Sequence, residues 1–476
     1  MPSRAVSAVS QNQDAATMNH GRGVSRILRP QPVTTLAVVL FVLCLGFSLA
    51  WGQNDVLTRY NGNPQSGLHA NETLPTPADV TTPITNVVFL MKENHSFDSL
   101  FGTFPGAAGT TTGVTSKGQT ITLSHASDSP PNFAHSWQMF ILAQHGGKMD
   151  WFDKTTKCGS STGYACYTQY QQADLPNYWT YAQTYLLADN FFSSSNGPSY
   201  PNHQYLIASQ SGSVVNNPTS GWGCDAKSTS TVQTYDLVSR SYGFVFPCFD
   251  YLTFGDILDA AGVSWHYYAP NAKTQGYIWS AYDAIKHIRY GADWTNILDQ
   301  KTFESDALAG RLAAVNWVTV DWNNSEHPSA SLTQGENRTV SIVNAIMNGP
   351  QWASTAIFIT WDDPGGFYDH VSPPKIDGYG AGIRVPLLII SPYVVPQVYH
   401  QQATFDSLLA FAEANWQLPS LTSRDAAANN LMDAFNFSQP RLPRLNLPLR
   451  KVKLSRRQRQ IIWRQSRDEK EAEGDR

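Results

Sequence analysis

Apolar residues fall into short, unbroken runs separated by long polar stretches rich in Gly, Ser, Asn and Pro. Runs of four to eight apolar, largely β-branched residues without alternation mark strands covered on both faces. Residues 84–91 form the first such run, and 263–268, 311–320, 355–360 and 383–393 repeat the pattern. Helical signals lie between them. A helix is predicted over 96–101, another starts at Pro176 in its first turn, and a third runs from Pro201 to about Ser209. Residues 335–348 carry Val340, Val343, Ile346 and Met347 on one face and stop at Gly349, and 404–416 are amphipathic. Strands alternating with helices predict an α/β fold: a mostly parallel central sheet flanked by helices on both faces, with loop-rich lid insertions over 103–135, 150–195 and 216–250.

The N-terminus follows a different pattern. Arg22, Arg26 and Arg29 precede an apolar run at 36–50 and a small-x-small site at Ala50-Trp51-Gly52. This is the layout of a cleavable leader, too short for the roughly 20 residues of a membrane span. The expected organisation is therefore a signal peptide at 1–52, an extended lead-in at 53–83, one catalytic domain at 84–440 and a basic, disordered tail at 441–476. Export to the periplasm or medium is expected. Cleavage leaves Cys158, Cys166, Cys224 and Cys248, an even set that suits two disulfides in an oxidising compartment. Spacing favours Cys158–Cys166 and Cys224–Cys248, although four cysteines allow three connectivities.

With 42% hydrophobic and 12% aromatic residues the chain is a folded one, not a disordered acidic polymer. Charge is uneven: residues 53–440 hold 17 Lys and Arg against 31 Asp and Glu, whereas 441–467 hold ten Lys and Arg and no acid. An acidic body gives no reason to expect nucleic acid. The basic tail offers transient contact with an anionic membrane surface, or is simply solvated. Oligomeric state is not encoded in any of these features.

Two strand ends carry the candidate chemistry. The first run ends in Glu93-Asn94, and the run at 355–360 ends in Asp362-Asp363 before Pro364-Gly365-Gly366. In open α/β sheets ligands gather at the carboxyl ends of strands. Neighbouring carboxylates repel unless a cation lies between them, and four oxygen-bearing side chains suit one divalent ion such as calcium or magnesium. Ser199 sits just ahead of a helix start, where free N–H groups and the helix dipole favour negative charge. His327 follows a predicted strand and is held by Pro328; its ordinary pKa near 6.5 suits proton transfer. His135 opens a predicted helix. Capping and packing remain the commoner roles for each of these residues taken singly.

Four stretches together resemble the bacterial phosphoesterase family that contains acid phosphatases and haemolytic and non-haemolytic phospholipases C. They are Glu93-Asn94-His95-Ser96-Phe97-Asp98, Gly197-Pro198-Ser199-Tyr200-Pro201-Asn202-His203, Glu326-His327-Pro328 and Asp362-Asp363-Pro364-Gly365-Gly366-Phe367-Tyr368-Asp369-His370-Val371. The later Ile383-Arg384-Val385-Pro386 and Ser391-Pro392-Tyr393 extend the likeness, which covers roughly 84–415. The resemblance implies an alkaline-phosphatase-like fold and a phosphoserine mechanism. It implies Ser199 as nucleophile, His327 and His135 as catalytic partners, and Glu93, Asn94, Asp362, Asp363 and Ser199 around one divalent metal. Where many relatives have Asp-Glu, this chain has Asp362-Asp363, a shorter second carboxylate. His266 and His287 are weaker candidates for further catalytic histidines.

The expected substrate is a phosphate ester or phospholipid. A phosphomonoester-specific acid phosphatase is the alternative, and a phosphate-binding protein without activity is a third reading. Aromatic residues over 151–192 either cage a choline headgroup by cation–π contact or build core. A sulfatase is disfavoured, because the chain has no Cys/Ser-x-Pro-x-Arg stretch.

Overall fold

The structure, a computed structural model, describes residues 82–452 except Lys273, together with Arg456, Arg459 and Gln460. The leader, nearly all of the lead-in and the end of the tail lie outside the described residues.

Eight strands form the central sheet: β1 (Asn86–Lys92), β2 (Leu186–Ala188), β3 (Trp265–Ala269), β4 (Ile297–Asp299), β5 (Val315–Val318), β6 (Thr355–Trp361), β7 (Leu387–Ile390) and β8 (Gln397–Tyr399). Their order is β4-β3-β5-β1-β6-β7-β2-β8. All neighbours pair in parallel except β7, which runs antiparallel to both β6 and β2. The two longest strands, β1 and β6, are buried at every position and lie side by side at the centre. That full burial is why their sequences read as continuous apolar runs.

Six helices matter for the site: α1 (Phe97–Phe101), α2 (Trp137–Gln144), α3 (Pro176–Thr184), α4 (Ser199–Ala208), α5 (Leu332–Asn348) and α6 (Phe405–Trp416). Both faces of the sheet are covered. Phe358 of β6 meets Phe411 of α6, while Trp361, an odd number of residues on and so on the opposite face, meets Tyr178 of α3.

The long central strands and the helices fall where the sequence predicts them, with shifted ends. Three strands are absent from the sequence reading: β2, β4 and β8, each of three residues. Three residues give too short a pattern to separate from loop. The excursion over 216–250 is not loop alone, because Val232–Asp236 and Ser241–Val245 pair as an antiparallel hairpin. Both expected cysteine pairs are joined, Cys158 to Cys166 and Cys224 to Cys248.

The tail expected from residue 441 needs correction. Residues 441–450 run along the body, with Leu442, Leu445 and Leu447 packed against the core. Asn344 and Asn337 each exchange two hydrogen bonds with the backbone, at Leu447 and Arg450 respectively. Arg450 Nη1 binds Glu336 Oε2 at 2.8 Å, and Arg441 donates to the Tyr393 hydroxyl. The charge count drew attention to the arginines; the leucines between them decide where this segment goes.

Candidate active site

The register of the central strands builds the acidic half of the site. Lys92 pairs with Trp361 at the ends of β1 and β6, so Glu93 and Asp362 leave the sheet as neighbours. Asn94 then adopts a left-handed backbone, φ 58°, which Asn tolerates better than most residues. Its N–H donates to Asp362 Oδ1 at 2.8 Å. Gly365 packs so tightly on this turn that a Cβ would lie 2.4 Å from the Asn94 carbonyl oxygen. Its N–H also fixes Asp363 Oδ1, at 2.6 Å.

Ser199 comes in from a third element. It is the first residue of α4, with Pro198 extended before it, so Pro201 lies two residues further in than the sequence predicts. Asn202 ties the turn together: its Oδ1 accepts from Ser195 N–H at 3.0 Å and its Nδ2 donates to the Gly197 carbonyl at 2.7 Å. Ser199 Oγ then lies 3.3 Å from Glu93 Oε2, 3.4 Å from Asp363 Oδ2 and 3.5 Å from Asn94 Nδ2. His203, one helical turn after Ser199, places Nε2 2.9 Å from Glu93 Oε1 and 4.0 Å from Asp362 Oδ2. The sequence reading quoted His203 within its motif and gave it no role; the i, i+4 spacing to Ser199 was the available signal.

This cluster is electrostatically incomplete by itself. Burial, then the neighbouring Asp362, pushes Glu93 well above the usual carboxylate range. Burial and Asp363 push Asp362 up to about 8, and burial pushes Asp363 up to about 7. The adjacent lysine offers no relief. Lys92 Nζ is committed to Glu326 Oε1 at 3.2 Å and to the carbonyls of Asn324 and Gly335. Burial lowers His203 to about 3, leaving a neutral imidazole. Asn94 Oδ1 and Asp362 Oδ2 are buried without a hydrogen-bond partner. Converging carboxylates, unpaired oxygens and a neutral imidazole are the donor set of a divalent cation, so these residues fit one.

The other half of the site is a pocket of about 180 Å³ above Ser199, walled by His135, His327, Trp222, Trp279 and Trp322. The two imidazoles meet edge to face with ring centres 5.7 Å apart. Each uses Nδ1 on a backbone carbonyl, His135 on Phe133 at 2.7 Å and His327 on Pro328 at 3.1 Å. A carbonyl only accepts, so Nδ1 carries the proton and Nε2 holds a lone pair in the neutral ring. Burial lowers both pKa values, and His135 lowers that of His327 further. His327 therefore lies well below the ordinary value near 6.5 that the sequence leads one to expect.

Glu326 is the hidden support of this half. It takes a left-handed backbone, φ 76°, and its carboxylate accepts from Lys92, from the Tyr178 hydroxyl and from Trp361 Nε1. Those bonds hold the loop that offers His327.

Two weaker candidates lie elsewhere. Both ring nitrogens of His287 are taken by Asp250 and Asp256, and His266 stands edge-on to Tyr268 on β3. The aromatic residues over 151–192 do not form a cage. Phe152, Tyr167, Tyr178 and Tyr181 are buried core, and the aromatic pocket walls come from Trp222, Trp279 and Trp322 on later loops.

Residues 84–419 match the model of the Phosphoesterase family. The chain belongs to that family. As a phosphoesterase it is a phosphoric ester hydrolase. It is similar to phospholipase C B of Mycobacterium tuberculosis, 28% identical over 439 residues that span 78% of this chain and 80% of the relative. It is also similar to a non-hemolytic phospholipase C of Pseudomonas aeruginosa, 27% identical, over 75% of this chain and 58% of that one. Among solved structures, a protein of the alkaline phosphatase superfamily from Vibrio parahaemolyticus matches 75% of this chain and 71% of its own. That match has 10% identity and a TM-score of 0.36.

Proposed function

We propose that this phosphoesterase is an exported, metal-dependent enzyme of the phospholipase C type that works through a phosphoserine on Ser199. The observation that carries the reading is the position of Ser199 Oγ. It lies against Glu93, Asp363 and Asn94 on one side and lines the His135–His327 pocket on the other. A divalent cation, calcium or magnesium, held by Glu93, Asn94, Asp362, Asp363 and His203 would neutralise the carboxylates and favour ionised Ser199.

The chain's own groups account for the rest. The start of α4 favours negative charge on Oγ, and Glu93 Oε2 and Asp363 Oδ2 lie within reach of its proton. Oγ attacks phosphorus, the new Oγ–P bond forms, and the bond from phosphorus to the leaving alcohol breaks. A proton from Nε2 of His327 or His135 goes to the leaving oxygen. Both rings are neutral when the pocket is empty, so the negative charge of a bound phosphate is what draws a proton onto Nε2. Water then attacks the phosphoserine, the now neutral imidazole takes its proton, and Oγ is released.

The Trp222, Trp279 and Trp322 walls favour a phosphodiester with a cationic headgroup over a bare phosphomonoester, since aromatic faces attract quaternary ammonium groups. Export is supported by the leader-like N-terminus and the two disulfides. Ser199→Ala tests the whole reading on p-nitrophenyl phosphorylcholine beside p-nitrophenyl phosphate. Turnover should fall more than about 10³-fold while fold and bound metal are retained. Near-normal turnover would mean direct attack by water and no phosphoserine. Preference for the bare monoester would favour the acid phosphatase alternative.

A further inference from the structure

The hairpin of Val232–Asp236 and Ser241–Val245 presents apolar side chains to solvent beside the mouth of the pocket. Val238 at its turn is 95% exposed and Phe244 62%, and Tyr242, Val245 and Phe246 continue the exposed patch. Scattered exposed apolar residues are ordinary, whereas five of them concentrated on one hairpin beside a pocket mark an interaction surface.

The hairpin is rigidly mounted. The Cys224–Cys248 disulfide joins the two ends of the excursion that carries it. Gln233 at its base is held by Asn216 and Gln138, and Asn216 in turn accepts from the first N–H of α2, at Trp137. The Tyr379 hydroxyl donates to the Tyr235 carbonyl. The patch is also continuous with the site, because Phe244 and Gln233 share a groove with His135, Asn217 and Thr219, and those three line the Ser199 pocket.

We infer that this hairpin is a lipid-interface anchor that seats the pocket mouth against a phospholipid surface. The inference rests on the phospholipase reading above. A lipid headgroup must reach Ser199 from a bilayer, and the apolar residues lie where the pocket would meet one. The charge at the turn also suits that surface. Asp236 is satisfied within the turn by the N–H groups of Val238 and Ser239 and the Ser239 hydroxyl. Arg240 is exposed between Val238 and Tyr242, where a guanidinium meets lipid phosphate. Aromatic side chains such as Tyr242 and Phe244 favour the headgroup level. Of the basic segment that the sequence offers for surface contact, Arg441 and Arg450 are engaged by the body.

The test is sedimentation of the full-length, metal-loaded protein with phosphatidylcholine vesicles, comparing wild type with the double substitution Val238→Glu, Val245→Glu. Charges in place of two exposed apolar side chains that would enter the lipid interface should reduce the vesicle-bound fraction at least about tenfold. Hydrolysis of vesicle phosphatidylcholine should fall in parallel, and turnover of soluble p-nitrophenyl phosphorylcholine should stay at the wild-type rate. Equal partitioning and equal vesicle hydrolysis by the two proteins would overturn the anchor, and would leave the hairpin to a protein partner. Wild type that cleaves monomeric short-chain phosphatidylcholine but never sediments with vesicles would also overturn it, with the phospholipase reading intact. Failure to cleave any phospholipid while cleaving p-nitrophenyl phosphate would instead remove the phospholipase reading, and with it the ground for the anchor.

Discussion

The two halves of the site are built by different means. Glu93, Asn94, Asp362 and Asp363 follow directly from the paired ends of the two central strands, and their spacing is the spacing of a sheet. His135, His327 and the three tryptophans come from loops and helix starts scattered between residues 135 and 327. The pairing register of β1 and β6 fixes the first group directly. The second group depends on local carbonyls at Phe133 and Pro328 and on a remote anchor, the buried Lys92–Glu326 pair. In the proposed reaction, strand-end groups hold the charge that is used, and loop groups decide what is bound and when a proton moves. Substitutions in the two halves should therefore fail differently.

The largest effect is expected on the strand-end side. Asp362→Asn removes one carboxylate from the Glu93, His203 and Asp362 group, whose ligand atoms all lie within 4.8 Å of one another. Metal analysis of the purified variant should find the bound divalent ion lost, and turnover should fall at least about 10³-fold on every ester. A variant that keeps its metal and most of its activity would break the division between the halves at its root.

On the loop side the loss should depend on the substrate. His327→Ala removes a proton donor and leaves the acidic cluster untouched. Turnover should drop about 10²–10⁴-fold for an alkyl ester and much less for a p-nitrophenyl ester, whose leaving group needs no proton. Equal losses on both substrates would move His327 from proton transfer to phosphate binding.

The same contrast explains what could be read from the sequence. The central strands and the acids that end them were legible because a doubly covered strand writes itself as an unbroken apolar run, and polar residues at its end stand out. Ser199 was legible through the Gly-Pro and Pro-Asn flanks of its turn. Trp222, Trp279 and Trp322 were not, because their positions depend on how three loops fold over the sheet, and tryptophan in a loop looks like tryptophan in a core. Glu326 escaped notice for a related reason. Its partners Lys92, Tyr178 and Trp361 are far away in sequence, and only the tertiary fold brings them together. His203 was the nearest miss, four residues from Ser199 on the same helix.

A smaller effect separates the halves by pH. In the metal-free protein Asp362 titrates near 8 and Asp363 near 7, against an ordinary 3.8, so the folded state holds protons that the unfolded state releases. Raised carboxyl groups stabilise the fold fully below the ordinary carboxylate pKa, and that contribution is lost progressively as pH rises from about 4 to about 8. Thermal melts of chelator-treated protein should show Tm falling across this range, and added divalent cation should flatten the dependence. A flat profile without metal would mean that the carboxylates have another counter-charge.

The smallest effect is expected at the pocket rim, and it tests whether the loop half selects the headgroup. Trp222 lines the pocket but is not fully buried, and its ring stands edge-on to Tyr200, 5.3 Å between centres. Trp222→Leu keeps an apolar surface there and removes the aromatic face, without opening a cavity in the core as loss of Trp279 or Trp322 would. A cation–π contact is worth about 0.5–2 kcal/mol, which corresponds to roughly a 2- to 30-fold change in affinity. KM for p-nitrophenyl phosphorylcholine should rise by that factor while kcat changes little, because the contact is made equally in the ground state and the transition state. KM for p-nitrophenyl phosphate, which has no cationic group, should stay where it is. A matching rise on both esters would mean that Trp222 only shapes the pocket, and the choice of headgroup would then rest with Trp279 and Trp322, whose rings stack 5.5 Å apart beside His327.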